Sequence, residues 1–254
     1  MNIQLSSATL VALLLCTTRI TAWLMVAPPF ATGGIPRTLR GMLAVVLSLS
    51  VLATATPHAP AAELGPLVTS AVLQIVIGGA LGFLTRLLFS AVESAGSLID
   101  LFGGFSLAFA YDPLSATNTS IFGKFYGMLA TTLMFASSAH LVVLQGFLRT
   151  FTTMPLDGNV DMSHIGSAAA HGMTSMFIAA LQIAAPLIAV LFIADLALGV
   201  LSRISPQLNV FQMSFPLKIM LTLGLVGLSF SLMPQVITQI ANDASRLVMT
   251  VGGT

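Results

Sequence analysis

Six stretches of this chain, at about 5–27, 38–56, 67–102, 124–150, 170–204 and 214–240, stay apolar over the roughly 20 residues that a helix needs to cross a hydrocarbon core. That pattern predicts an all-α membrane protein of about six long apolar helices arranged as helical hairpins. Helix breakers fall between the stretches: Pro28, Pro29, Gly33, Gly34 and Pro36 after the first, Pro57, Pro60, Gly65 and Pro66 after the second, and Pro155, Asp157 and Gly158 after the fourth. The "ISPQLN" of 204–209 separates the fifth from the sixth. The first stretch has no basic n-region before it and no small residue ahead of Cys16, so it reads as a retained helix rather than a cleaved signal.

The third and fifth stretches are too long for simple spans. In the third, Arg86, Glu93 and Asp100 recur every seven residues. On a helix such positions drift by only about 20° per step and predict one polar stripe. In the fifth, Pro186 precedes Asp195 and predicts a kink or a broken hairpin. Arg37, Arg40, Lys124, Arg203 and Lys218 flank the first, third and fifth connections, whereas Glu63, Asp157 and Asp161 mark the second and fourth, with Arg149 an exception. Positive residues favour the cytoplasmic side, which would turn both termini outward.

Composition closes off several functions. Of the 254 residues 56% are hydrophobic and 7% charged, and the net charge is +1. A soluble domain carries about a quarter charged residues. With no basic field, nucleic acid is not an expected partner, while membrane lipid is. One cysteine excludes an internal disulfide and a thiolate zinc site. His164 and His171 stand two helical turns apart, too far for one ion without further ligands, so no metal is expected. There is no nucleophile elbow, phosphate-cradling loop or HExxH, and neither enzymatic activity nor a cofactor is expected. The thirteen methionines suit a deformable helix-packing surface.

Ionisable groups inside a membrane are costly unless paired or hydrated, which makes Arg19, Arg86, Glu93, Asp100 and Asp195 candidates for function. Three roles are open to them: pairing within or between subunits, lining a polar conduit, or relaying protons. A small-solute secondary transporter coupled through these charges is the rival reading, although the two symmetric halves expected of one are not evident.

The stretch 103–120, "GGFSLAFAYDPLSATNTS", is the chain's most unusual segment. Gly103 and Gly104 offer an exit from the helix, and Pro113 biases Asp112 away from helical backbone. Run extended, the residues between would put Phe105, Leu107, Phe109 and Tyr111 on one face and Ser106, Ala108 and Ala110 on the other. Such an apolar ridge with a flat back predicts a central non-helical plug, a gasket able to shut a pore by dewetting. The plainer alternative is an amphipathic end of the third helix followed by an ordinary loop.

At these residues the chain resembles a known family. "AGSLIDLFGGFSLAFAYDPLSATNTSIFGKF" (95–125), "AHLVVLQGFLRTFTTMPL" (139–156) and "LALGVLSRISPQLNVFQMSFPLKI" (196–219) are similar to FliR, the flagellar export-gate protein, and to its injectisome counterparts of the SctT type. Tyr111, Asp112, Pro113, Ser115 and Asn118 carry one motif. Arg203, Pro206, Gln207, Phe211, Phe215, Pro216 and Lys218 carry another, and Pro36 and Arg40 a third. Ala139-His140 departs from the family's usual Gly-His, and "TTMPL" looks like the flagellar branch. The resemblance covers nearly the whole chain.

It implies a noncatalytic subunit of the type III secretion export gate that helps form and seal a channel for unfolded substrates. Implied partners are FliP-like and FliQ-like subunits and a FlhB-like switch protein. Residues 1–165 would form a FliP-like part and 166–254 a FliQ-like part. The implied location is the bacterial inner membrane, multi-pass, with the gate toward the periplasmic face inside the flagellar basal body. Energy would come from an associated ATPase and the proton-motive force.

Overall fold

A computed structural model describes residues 6–31, 33–105, 120–157, 162–207 and 209–251, and among them every regular element is helical. Helix α1 covers Ser7–Val26. Its start is capped by Ser6, whose Oγ accepts from the Thr9 amide at 3.2 Å. Its end is closed by the Ala27 amide on the Trp23 carbonyl at 2.8 Å, just before Pro28 and Pro29. Helix α2, Arg37–Ala55, follows Pro36 and runs into a 3-10 turn over Thr56–His58.

Two helices dominate the length. Helix α3 spans Leu64–Gly103, 40 residues, and α6 spans Met162–Ile204, 43 residues. At 1.5 Å per residue each is about 60 Å long, twice the hydrocarbon thickness of roughly 30 Å. Of the kink or broken hairpin expected at Pro186, the broken hairpin is absent: α6 continues through the proline as one helix. A proline inside an apolar helix loses one backbone hydrogen bond, and the turns on either side suffice to carry the helix past it.

The other two apolar stretches divide. The fourth is a pair, α4 (Ile121–Ala136) and α5 (Ala139–Thr153), bent by 79°. The bend sits at Ser137 and Ser138, with Ser138 in the left-handed region at φ 58°, through which the right-handed α4 cannot continue. The sixth is split between α7 (Val210–Ser229) and α8 (Met233–Thr250). Asn209 caps α7, its Oδ1 accepting from the Gln212 amide at 3.3 Å. Of the stretches expected as about six long apolar helices, the described residues hold four long and apolar enough to cross a membrane, within Ser7–Val26, Arg37–His58, Leu64–Gly103 and Ser163–Ile204, and a fifth if α4 and α5 count as one. The protein is a multi-pass membrane protein.

The chain forms two compact units, each assembled from separate parts of the sequence. Unit 1 takes 1–88, 138–173 and 239–254. In it α1 lies along α2 and buries Leu15, Ile20, Trp23 and Leu24 completely. Gly78 of α3 lets the helices approach so closely that a Cβ there would overlap the Arg19 carbonyl, and one at Gly82 would lie 2.9 Å from Val26 Cβ. Trp23 stacks on Phe147 of α5 with ring centroids 4.3 Å apart. Where α5 meets α8, Gly146 sits against Ser245.

Unit 2 takes 89–137 and 174–238. Its C-terminal part of α3 buries Ala91, Val92, Ala95 and Ile99, and its α4 buries Phe122, Tyr126 and Met134. Gly96 faces the backbone of Phe122 with no room for a side chain. Tyr126 is fully buried and still satisfied, its Oη 2.8 Å from Ser229 Oγ of α7.

Candidate functional site

Unit 2 gathers the two ends of the unusual stretch at one place. Asp100 lies one turn before the end of α3 and is 3% exposed. Its carboxylate accepts from the Phe122 amide, at 3.1 Å on Oδ2 and 3.3 Å on Oδ1, and from Ser120 Oγ. Ser120 Oγ in turn accepts from the Gly123 amide at 2.8 Å. One carboxylate therefore serves the N-terminus of α4, where unpaired amides and the helix dipole both favour negative charge. Phe105 then packs edge-on against Phe122, with centroids 5.1 Å apart. Residues 101–105 leave α3 beside the point at which 120–122 enter α4.

Two small residues make this geometry possible. Gly96 admits the α4 backbone against α3. Gly104 has φ +82°, where a side chain is strained, and it turns the chain out of the helix.

The second family motif reaches the same place from α7. Phe215 lies on Gly104, its Cδ1 3.5 Å from where a Cβ would stand, and Thr222 Oγ1 lies 2.7 Å from the corresponding point at Gly103. One turn before Thr222, Lys218 pairs with Asp195 of α6 at 2.7 Å, the lysine 18% and the aspartate 42% exposed. Lys218 also presents its carbonyl to Thr222 Oγ1 at 2.8 Å. Gly103 and Gly104 thus meet Thr222 and Phe215, more than a hundred residues away in the chain.

The remaining candidates are dispersed. Arg203, Pro206 and Gln207 are exposed around the α6–α7 turn, and Pro216 is exposed within α7. Leu107, Phe109, Tyr111, Asp112 and Pro113, like the side chain of Phe211, lie outside the described residues. The expected polar stripe on α3 divides: Arg86 and Glu93 are exposed whereas Asp100 is buried.

Arg19 belongs to unit 1 and is fully buried. Its Nε donates to Gln74 Oε1 at 2.5 Å and its Nη1 to the Met154 carbonyl at 2.9 Å. The guanidinium lies 4.4 Å from the Phe151 ring centroid. Gln74 Nε2 donates to the Leu156 carbonyl at 3.3 Å. This pair satisfies carbonyls past the end of α5, and among the described residues Arg19 Nη2 has no partner. Nor, among those residues, do three His, Cys, Asp or Glu side chains cluster as metal ligands would.

Sequence reasoning singled out Asp100, Gly103, Gly104 and Lys218 but missed Ser120, Phe122 and Thr222 as the groups they meet. A capping signal was present at Ser120, a serine immediately before an apolar run. Nothing local pointed to Phe122 or Thr222.

Residues 10–244 match the family model described as bacterial export proteins, family 1. The chain is 34% identical over 221 residues to flagellar biosynthetic protein FliR of Escherichia coli K12, covering 85% of this chain and 82% of that protein. It is 33% identical over 212 residues to FliR of Bacillus subtilis 168, covering 82% of each. To the surface presentation of antigens protein SpaR of Shigella sonnei it is 28% identical over 156 residues, covering 60% of this chain and 59% of that protein. A family-model match over residues 10–244, with identities of 33–34% across more than four-fifths of the chain, places this chain in the FliR family of bacterial export proteins.

Proposed function

We propose that this protein is a membrane subunit of a type III export gate, of the flagellar branch. Family membership over residues 10–244 carries that reading. The flagellar branch is favoured over the injectisome by the wider and closer similarity to FliR than to SpaR. The gate would lie in the bacterial inner membrane toward the periplasmic face, built with FliP-like and FliQ-like subunits and a FlhB-like switch protein, and would pass unfolded substrates. Within the chain, 1–165 would serve as the FliP-like part and 166–254 as the FliQ-like part.

In this reading residues 103–113 form the gasket, with Leu107, Phe109 and Tyr111 as its apolar ridge. What supports it is the anchoring of both ends of the stretch: Asp100 ties the exit from α3 to Ser120 and Phe122, and Phe105 acts as a foot on Phe122. A seal tied at both ends can be displaced by an entering polypeptide and return to the same seat. The rival transporter fits less well. Asp100 is committed to capping α4 and Asp195 to Lys218, which leaves no convergent set of charges for proton coupling among the described residues.

The test is ion leak in cells expressing the whole complex. Deleting 105–110, or changing Phe105 and Phe109 to Ala, is expected to raise leak while FliP-like and FliQ-like chains still copurify. Normal assembly with unchanged leak would refute the gasket. Flux of a small solute through the purified chain alone in liposomes would instead favour the transporter.

A further inference from the structure

Helix α8 differs from every candidate span in what it turns outward. Its exposed positions are Pro234, Gln235, Thr238, Gln239, Asn242, Asp243, Arg246 and Thr250, one stripe at three- and four-residue spacing. Its apolar positions point the other way and are consumed by the protein: Ile237, Ala241 and Ala244 are completely buried, and Ile240, Leu247 and Val248 are at most 7% exposed. By contrast α3 exposes Val68, Val72 and Ile75, each more than half, as a surface against lipid or an apolar neighbour would.

Two membrane placements are thereby excluded. A spanning helix cannot set Gln239, Asn242, Asp243 and Arg246 against hydrocarbon, where their polar groups would find no partner. An interfacial helix lies with its apolar face in the acyl region, yet that face of α8 is already occupied by the protein, including Gly146 of α5 against Ser245 and Gly172 of α6 against Leu247. Helix α5, its neighbour in unit 1, also turns polar groups outward at Gln145, Arg149 and Thr152. The charges on the α8 stripe, Asp243 and Arg246, cancel, so it offers amides and hydroxyls without a net field.

We infer that the outer face of α8 borders a water-filled compartment in the assembled protein and does not touch lipid. The stretch 214–240, apolar enough in sequence to suggest a sixth span, then ends at α7, and the chain continues as a wetted helix. The inference does not depend on the export reading, because its readout is contact with water.

The experiment places single cysteines at Gln239→Cys and Asn242→Cys in the whole complex in native membranes, with Val72→Cys as the reference. The native Cys16 is buried and supplies the background. A charged, membrane-impermeant thiosulfonate is applied to right-side-out and inverted vesicles separately, and the faster rate is taken for each site. Thiosulfonates react with the thiolate, which forms in water and not in hydrocarbon. Both α8 sites are expected to react at least about tenfold faster than Val72→Cys. Rates no faster than the reference from either side, with all thiols titrating after unfolding in detergent, would overturn the inference by showing the face to be covered. That failure would leave the export reading untouched, since export by the same variants is scored separately.

Discussion

At the scale of single residues, Asp100 ties α3 to the start of α4 within unit 2, and Arg19 ties α1 to the end of α5 within unit 1. Asp100→Ala strips the first turn of α4 of a charged acceptor with donors left behind, a loss of about 2–3 kcal/mol. For a chain of this size that is a fall of about 4–12 °C in the unfolding midpoint. Asp100→Asn keeps an oxygen acceptor and is expected to lose less than half as much; equal losses in a thermal scan of purified protein would count against the capping role. Arg19→Ala removes a fully buried side chain together with its bonds to Gln74 and the Met154 carbonyl, and is expected to cost about 3 kcal/mol or more. Arg19→Lys keeps the charge without the planar fork and is expected to recover little of it. Composition alone announced both residues as anomalies, because a charge in an apolar helix stands out. Their partners were not legible: the Met154 carbonyl is a backbone group, and Phe122 is one phenylalanine among sixteen.

Among the elements, the sequence made helix existence plain and helix continuity obscure. Length and hydropathy marked α1, α2 and α3 nearly to the residue. The break between α4 and α5 was hidden because Ser137 and Ser138 carry neither a proline nor a glycine. Pro186 misled in the other direction, since it looks like a breaker and α6 runs through it. Bulk hydropathy also merged α7 with α8, whose three- and four-residue spacing of Ile237, Ile240, Ala241, Ala244 and Leu247 is the stronger signal. How elements touch depends on small residues. A methyl at Gly96 would collide with the Phe122 backbone, whereas one at Gly199 meets nothing within 4 Å. Gly96→Ala is therefore expected to destabilise the protein by about 1–3 kcal/mol and Gly199→Ala to be neutral or slightly stabilising, as thermal unfolding of the two variants side by side will show. Between α6 and α7, Lys218→Asp is expected to reduce export and Asp195→Lys in the same chain to restore part of it. Failure of the double variant to exceed either single one would remove the ion pair from the account. The pair is partly exposed, so its direct worth is about 1 kcal/mol or less and its use is to fix how the helices align.

For the whole molecule, the lengths of α3 and α6 impose a condition that no single helix can meet. Leu64 is 80% and Leu101 60% exposed at opposite ends of α3, about 55 Å apart along the helix. A bilayer core of roughly 30 Å cannot cover both. Protein neighbours are expected to cover the remainder, so the chain expressed alone should aggregate in mild detergent and become monodisperse when coexpressed with FliP-like and FliQ-like subunits, as size-exclusion chromatography will show. The joining of residues 101–105 to 120–122 has a different consequence. Because Asp100, Ser120 and Phe122 form one knot at the base of 106–119, those positions are expected to behave as an interchangeable cassette whose length the scaffold does not sense. Doubling the length of a closed loop costs only about 0.6 kcal/mol, so an insert of neutral sequence there should leave α3 and α4 in register while resetting whatever the cassette does.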